Sequence, residues 1–509
     1  MKSETLQDSG ADLALFRRRH PWLTAIVSFV AMCVVVFFCL EWRAEQRWQR
    51  YAAEARVRGV KLMLTDFAQP EIPDEQNFAA LPMMRKISGD AGGNGPFYLP
   101  QAKDAGADDL VFPKGNQPPS FGDLKRGPNI DLAIWQDYFH QTGFLAEKSA
   151  DPARDVLQAL EHFAPELREW SEWRTRPECR FPLDLTKGID LRLPYRTSFV
   201  EAGKVLTLRM RAHLVSGDSP AAYSDFQDAL QAYRLLLAEP SLISGLVRTS
   251  ILHTLLDGVG DGLQNQLWGP EELDRVQSDL SSIRLMDDWR FALASERASF
   301  NTTVESWLNT SFRERGRTIA ENFGFVVRPD DSTVLIFQLC PRGVFRDGQL
   351  RMNRYLDELL ARIDTRSQTL DIDGPTPSFT NGPVDTSERL HYFLFFMSVG
   401  ICRKAESRLI FSQTILDEAR LACALERFRV KHGAYPETLA ELPPEIIAAV
   451  PIDPYSHAPY RYQRAGSTSF RLYGVGENRT DDGGQIAPGV ADRKQLDAVW
   501  PYAPLPSVP

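Results

Sequence analysis

The chain has 509 residues, 43% of them hydrophobic and 25% charged, and a net charge of -9. That length exceeds one ordinary core and points to two or three folded units of a globular protein, outside the collagenous and disordered classes. The acidic balance, with no basic stripe interleaved with aromatics, argues against nucleic acid as a partner.

Residues 1–20 form a short tail that ends in Arg17, Arg18 and Arg19 and leads into PWLTAIVSFVAMCVVVFFCL, uncharged from Pro21 to Leu40. A helix of about 20 residues, rising about 1.5 Å each, matches a hydrocarbon core about 30 Å thick. Trp22 and Trp42 sit at its two ends, where indoles favour the headgroup level. A cleavable signal peptide would carry a shorter apolar run and a small-residue cleavage site, which CLEWRAEQRW does not offer. The expectation is therefore one transmembrane helix over residues 21–41, attaching the chain to the lipid bilayer through Pro21 to Leu40. Arg43, Arg47, Arg50, Arg56 and Arg58 follow the span, so arginines flank both ends and the positive-inside rule alone does not orient it.

The next segment, EWRAEQRWQRYAAEARVRGVKLML, is rich in Ala, Glu and Arg and free of Gly and Pro until Gly59. It predicts a helical stalk over residues 42–87 that continues the membrane helix. Residues 88–129 change character: AGGNGP, PKGNQPPS and KRGPN read as a long irregular connection.

Residues 130–400 return to helical patterning and form the body. Its clearest unit is LTLRMRAHLVSGDSPAAYSDFQDALQAYRLLLAEP. Leu206, Met210 and Leu214 make one apolar stripe; Ala222, Phe226, Ala229, Tyr233 and Leu236 make another. SGDSP turns between them, with Ser219 as N-cap and Pro220 at the first helical position. With small residues at Ala212, Gly217, Ala222 and Ala229 and a closing Pro240, this hairpin resembles one tetratricopeptide unit. The neighbouring helices lack that signature, so the body is expected to be an irregular helical array. Tyr392 to Ile401 is too short to cross a bilayer and reads as a buried helix.

Residues 401–490 begin with one long helix, AESRLIFSQTILDEARLACALERFRVKHG, with Leu421, Leu425 and Phe428 on one face and Gly433 just past its end. Glu437 to Leu442 suits a short helix, and PYRYQ and SFRLYGV alternate as a hairpin turning at Ala465 to Ser467. The residues then carry a family pattern: Ala424, Leu425, Phe428, Gly433, Tyr435 and Pro436; then Pro451, Asp453, Pro454, Pro459, Tyr460 and Tyr462; then Gly476, Asn478, Gly483 and Gly484. In this order they resemble the globular head of type II secretion pseudopilins, the major G-type subunit, over about the last fifth of the chain. The span departs from that family, because it contains no Glu and hundreds of residues separate it from the head. Packing into a pseudopilus through N-terminal helices is therefore not expected. The fold class expected is mainly α, an irregular helical array with one N-terminal transmembrane helix and a small C-terminal α+β pseudopilin-like head. Residues 491–509 form a Pro-rich tail.

The resemblance implies a calcium ion in the loop Gly474 to Gly484. Asn478 stands where the family has its first Asp, Asp481 and Asp482 supply two carboxylates, and Asp492 is a weaker match for a later Asp. The bland alternative is a tight Asp-Asp-Gly-Gly turn. An anchor, a helical body and this tail together resemble bacterial envelope proteins. That implies an inner-membrane, single-pass location with a periplasmic body.

No P-loop, GxGxxG, GxSxG, HExxH or EF-hand pattern occurs, and no catalytic or cofactor-binding residue stands out. His253 and Asp257, four apart on a helix, read as a structural pair. Asp287 and Asp288 suit a helix start, with Arg297 next to Glu296, and an acid–base carboxylate pair is the catalytic alternative. Cys179, Cys340, Cys402 and Cys423 show no zinc spacing and leave the redox compartment open. The expected function is a membrane-anchored, non-enzymatic envelope protein mediating protein–protein interaction, in a secretion- or pilus-related setting. The alternative is an anchored hydrolase with dispersed catalytic residues in the helical body.

Overall fold

The computed structural model describes residues 21–89, 96–97, 99, 131–322, 332–374, 392–485 and 497–500. The tail at 1–20, most of the irregular segment at 88–129, Asp492 and nearly all of the Pro-rich tail lie outside them. The chain is mainly helical with few strands.

Helix α1, Pro21–Val57, is one unbroken element of 37 residues. Its first half is long and apolar enough to cross a membrane, and none of that apolar window is buried among the described residues. Its second half does not stand free as a stalk. From Glu41 onward it packs against α13, Arg342–Ala361. Trp48, Tyr51, Ala52 and Ala55 bury their apolar surface there with Leu62 and Leu350, because a helix with one apolar face gains by covering it. Helix ends at Val57, and the chain then turns back onto the body rather than continuing straight. There Leu64 and Phe67 seat beside α10, Leu285–Asn309. The Leu64 amide donates to Thr302 Oγ1 at 2.9 Å.

Between lie α2, Pro82–Gly89, α3, Leu132–Gln141, α4, Pro152–Leu160, and α5, Ala164–Trp170. Asp151 accepts from the Ala153 and Arg154 amides and Pro152 opens α4, a start written wholly in local residues. The hairpin read as tetratricopeptide-like is α6, Arg196–Val215, and α7, Ser219–Arg234, and both apolar stripes are buried. Its cap differs from expectation: Asp218, not Ser219, accepts from the Ala221 amide at 3.0 Å. Ser219 is already helical, and its hydroxyl instead takes the Gly269 amide at 2.8 Å, tying the turn to α9. Helices α8, Leu242–Gln264, and α9, Pro270–Ser281, complete the array around the hairpin. Then come α11, Phe312–Asn322, and α12, Ser332–Leu339.

After α13, strands β1, Ile363–Asp364, and β2, Thr369–Leu370, make a minimal antiparallel pair. Helix α14, Phe393–His432, runs 40 residues through Gly400, so the expected junction at 400/401 falls inside a helix. Its last turns pack on α8 and α9, and it ends at Gly433, whose φ of 81° suits a residue without Cβ. The expected hairpin forms from β3, Arg461–Arg464, and β4, Phe470–Gly474, with β5, Ala498–Val499, added at the outer edge of β4. One continuous core joins body and C-terminal region, from Phe78 through Leu256 and Leu421 to Trp500.

Candidate functional site

A large groove lies at the open end of the α6–α7 hairpin, opposite its turn. Tyr195 immediately precedes α6, and Leu235 to Pro240 immediately follow α7, so the hairpin brings these residues to one end. Two segments run alongside and wall the space. The Phe78 amide donates to the Glu178 carbonyl at 2.7 Å. Asn77 and Arg180 exchange bonds: Asn77 Nδ2 donates to the Arg180 carbonyl at 3.0 Å and the Arg180 amide to Asn77 Oδ1 at 2.9 Å. Gln69 Nε2 reaches the Ala238 carbonyl at 3.0 Å, and the Arg180 guanidinium reaches the Pro70 carbonyl. The groove measures about 830 Å³, within the usual range for ligand sites.

Phe67, Ile72, Leu183 and Leu235 supply the apolar part of its wall, and Phe181 stacks on Tyr195 with ring centroids 3.4 Å apart. Three buried titratable groups converge: Cys179, Tyr195 and Glu239. Ser244 Oγ donates to Glu239 Oε1 at 2.6 Å. Burial pushes the Glu239 carboxyl up, and burial followed by the Glu239 charge pushes the Cys179 thiol and the Tyr195 phenol well up. All three groups are thus driven towards their neutral forms. A neutral thiol is a poor nucleophile, and among the described residues lining the groove no histidine stands by to activate it. At the rim Arg85 pairs with Asp74 at 2.5 Å. The groove offers a mixed trough, apolar around Phe181 and Tyr195 and lined elsewhere by the acidic and basic side chains of Glu71, Asp74, Arg85 and Arg180.

The residues singled out from sequence lie elsewhere. His253 Nε2 lies 2.9 Å from Ser412 Oγ, whose own proton goes to the Arg408 carbonyl at 2.6 Å. The serine proton is committed away from the ring, so the pair ties α8 to α14 rather than forming a base and a nucleophile. Asp287 accepts from Arg284 Nε at 2.6 Å and Gln368 Nε2 at 2.9 Å. Asp288 accepts from the Tyr233 hydroxyl, and burial pushes its carboxyl up to about 6. Both aspartates lie in the first turn of α10, where the dipole favours them, but neither caps an amide there. Arg297 is not the partner of Glu296; it pairs with Asp357 at 2.8 Å. Burial alone pushes the Glu296 carboxyl up to about 7.

In the loop Gly474 to Gly484, Asp481 accepts from the Gly483 amide at 3.0 Å, the Tyr473 hydroxyl at 3.1 Å and Arg461 Nε at 3.3 Å. The Gly483 amide foremost holds its carboxyl low. Asn478 Nδ2 donates to Asp482 Oδ2 at 2.9 Å. Sequence reasoning missed Asp497, which organises the loop by accepting the Asp482 and Gly484 amides at 3.0 and 2.7 Å. It also missed Glu239 and Tyr195, which carry no motif and meet only through the hairpin. The four cysteines outside the span, Cys179, Cys340, Cys402 and Cys423, are free thiols. The chain matches no family model, no curated protein and no solved structure.

Proposed function

We propose that this chain is a membrane-anchored, non-enzymatic envelope protein that binds other proteins through its helical body. The setting proposed is secretion- or pilus-related, at an inner membrane with the body in the periplasm and a pseudopilin-like head at the C-terminus. One observation carries the binding reading: the groove at the open end of the α6–α7 hairpin, whose buried groups Cys179, Tyr195 and Glu239 are pushed towards their neutral forms by burial. Such a trough suits an extended, mostly apolar polypeptide segment, which would contribute side chains to the wall and backbone groups to the rim. The test places a photo-crosslinking residue at Ile72, on the groove wall, in the full chain in its own membrane. A polypeptide adduct that disappears when Leu183→Trp fills the groove supports the reading. No adduct, or one indifferent to Leu183→Trp, overturns it.

A second reading, an anchored hydrolase, draws on the same place. Glu239 is a carboxyl raised by burial inside a cleft, a state that suits a general acid. It requires a hydrolytic activity that Glu239→Gln abolishes without lowering the melting temperature.

A further inference from the structure

We infer that α11 and α12 rest on the membrane surface beside the span, so that the protein holds the bilayer at a second, non-spanning contact. This rests on the reading that Pro21 to Leu40 spans a bilayer.

Glu41 is the first charged residue after the apolar stretch and therefore marks the water side of the hydrocarbon boundary. Both its carboxylate oxygens accept the Gly343 amide, at 2.9 and 3.0 Å, which fixes the first turn of α13 at that level. From there α1 and α13 descend side by side in the same direction. Glu45 meets Arg346 at 2.7 Å, Arg47 meets Asp347 at 2.7 Å, and the Tyr51 hydroxyl meets Asp357 at 2.9 Å. The start of α13 is therefore its membrane end, and α12 closes only three residues earlier, at Leu339. Electrostatics agree on the position: burial and then Glu41 push the Cys340 thiol up to about 11, and Glu41 also acts on Arg315 of α11.

What α12 shows outward is apolar, whereas α11 is apolar only at its start and exposes Arg313, Glu314, Arg317 and Glu321 along its length. Leu335, Ile336 and Leu339 of α12 are 53%, 65% and 62% exposed, and Phe312 at the start of α11 is 52% exposed. The opposite face of α12 is pressed onto α11 at Gly316, where a Cβ would sit 2.2 Å from the Val334 carbonyl oxygen. That contact holds α12 on α11, and its apolar residues are held outward by packing rather than by chance. Arg313 and Arg342 are exposed on the same pair of elements and beside it. Large apolar side chains bordered by arginines, next to a membrane helix, match the interfacial mode: apolar groups in the acyl boundary, cations at anionic headgroups. Continuity with the span is what selects lipid as the occupant, since any face at the level of Glu41 meets headgroups first.

The experiment uses the full chain, with Cys33, Cys39 and Cys340 replaced by serine, reconstituted into vesicles of equal parts phosphatidylcholine and phosphatidylglycerol. A nitroxide label is placed singly through Ile336→Cys, Leu339→Cys, Val35→Cys in the span, or Glu271→Cys, an exposed site on α9. Collisions are measured with oxygen, which concentrates in lipid, and with a water-soluble nickel chelate. We expect labels at 336 and 339 to show oxygen collisions several-fold above the label at 271 and chelate collisions several-fold below it. If the label at 35 is in lipid while 336 and 339 match 271, the surface contact is refuted and the span stands. If 35 is itself open to the chelate, the span reading fails. Labels at 336 and 339 shielded from both reagents would mean that protein covers the face, which also refutes the inference.

Discussion

Asn301 of α10 and Asn353 of α13 face each other, fully buried, and exchange two hydrogen bonds: Nδ2 of Asn301 to Oδ1 of Asn353 at 3.1 Å, and the reverse at 2.7 Å. Each has one more partner, the Leu62 carbonyl for Asn301 at 3.0 Å and the Gln349 carbonyl for Asn353 at 2.8 Å. The pair thus joins three things: the helix that rides on the anchor, the centre of the body, and the segment leaving α1.

Asn353→Leu should strand the Asn301 amide and cost about 1–3 kcal/mol, since a buried polar group loses its partner. Replacing both residues by leucine should cost less than the sum of the single changes, because no polar group is then stranded by the other. Urea melts of the four proteins in one detergent, arranged as a double-mutant cycle, measure the coupling. Strict additivity would mean that the two amides do not depend on each other.

Stability should fall as pH rises from about 4 towards 7. The buried carboxyls of Asp225, Asp288 and Asp417 are pushed up to about 6, and those of Glu201 and Glu296 to about 7, burial being the leading cause in each. A folded-state value above the unfolded one favours the protonated form. That contribution is full below the unfolded value and is lost as pH rises through the folded value. Glu296→Gln removes one titration. It should match the wild type near pH 4 and exceed it near pH 8 by on the order of 1–3 kcal/mol. Melting curves at the two pH values check this, and equal differences at both would reject it.

Asp453 is the hub of the C-terminal region. It accepts from the Tyr455 amide at 3.0 Å, Ser456 Oγ at 2.6 Å and the Val475 amide at 3.1 Å, while Glu418 of α14 takes the neighbouring Gly474 amide at 3.1 Å. Asp453→Ala should destabilise this region by about 3 kcal/mol or more, because three donors lose one buried acceptor. Hydrogen exchange in the full chain should speed up at Tyr455 and Val475 and stay unchanged at the α6–α7 hairpin. Uniform acceleration across the chain would mean that body and C-terminal region open as one unit.

If the loop Gly474 to Gly484 takes up calcium, as the pseudopilin resemblance implies, the C-terminal region should melt higher in millimolar calcium than in chelator. A ligand that binds only the folded state must raise its stability. Asp481→Ala and Asp482→Ala should each abolish the shift. A melting temperature indifferent to both reagents would leave the loop as a turn held by the Gly483 amide and by Asp497.

Much of the secondary structure was legible because it is governed by neighbours in sequence. The apolar run of the span, the stripes of α6 and α7, the stop at Gly433 and the alternation of β3 and β4 are periods and caps, and each formed where its pattern lay. The error at Ser219 is instructive. Asp218 and Ser219 are both competent caps, and sequence cannot say which hydroxyl or carboxylate another segment will claim. Gly269, 50 residues away, claims the serine. The stalk differs in two ways: its helix stops at Val57, just before the local breaker Gly59, and α13 covers Trp48 and Tyr51, a contact that nothing local in α1 reveals.

By itself, then, the sequence determined one long apolar helix, a mainly helical body and a terminal hairpin, because 3.6-residue and two-residue periods need only nearby residues to express them. Only tertiary structure decided that α13 stands beside the anchor at Glu41, that Cys179, Tyr195 and Glu239 meet in a groove, and that Asp497 closes the loop it follows. Those contacts join residues up to about three hundred positions apart, as Arg47 and Asp347 do. Which faces meet across such distances is set by the shape and burial of the whole core rather than by any local pattern.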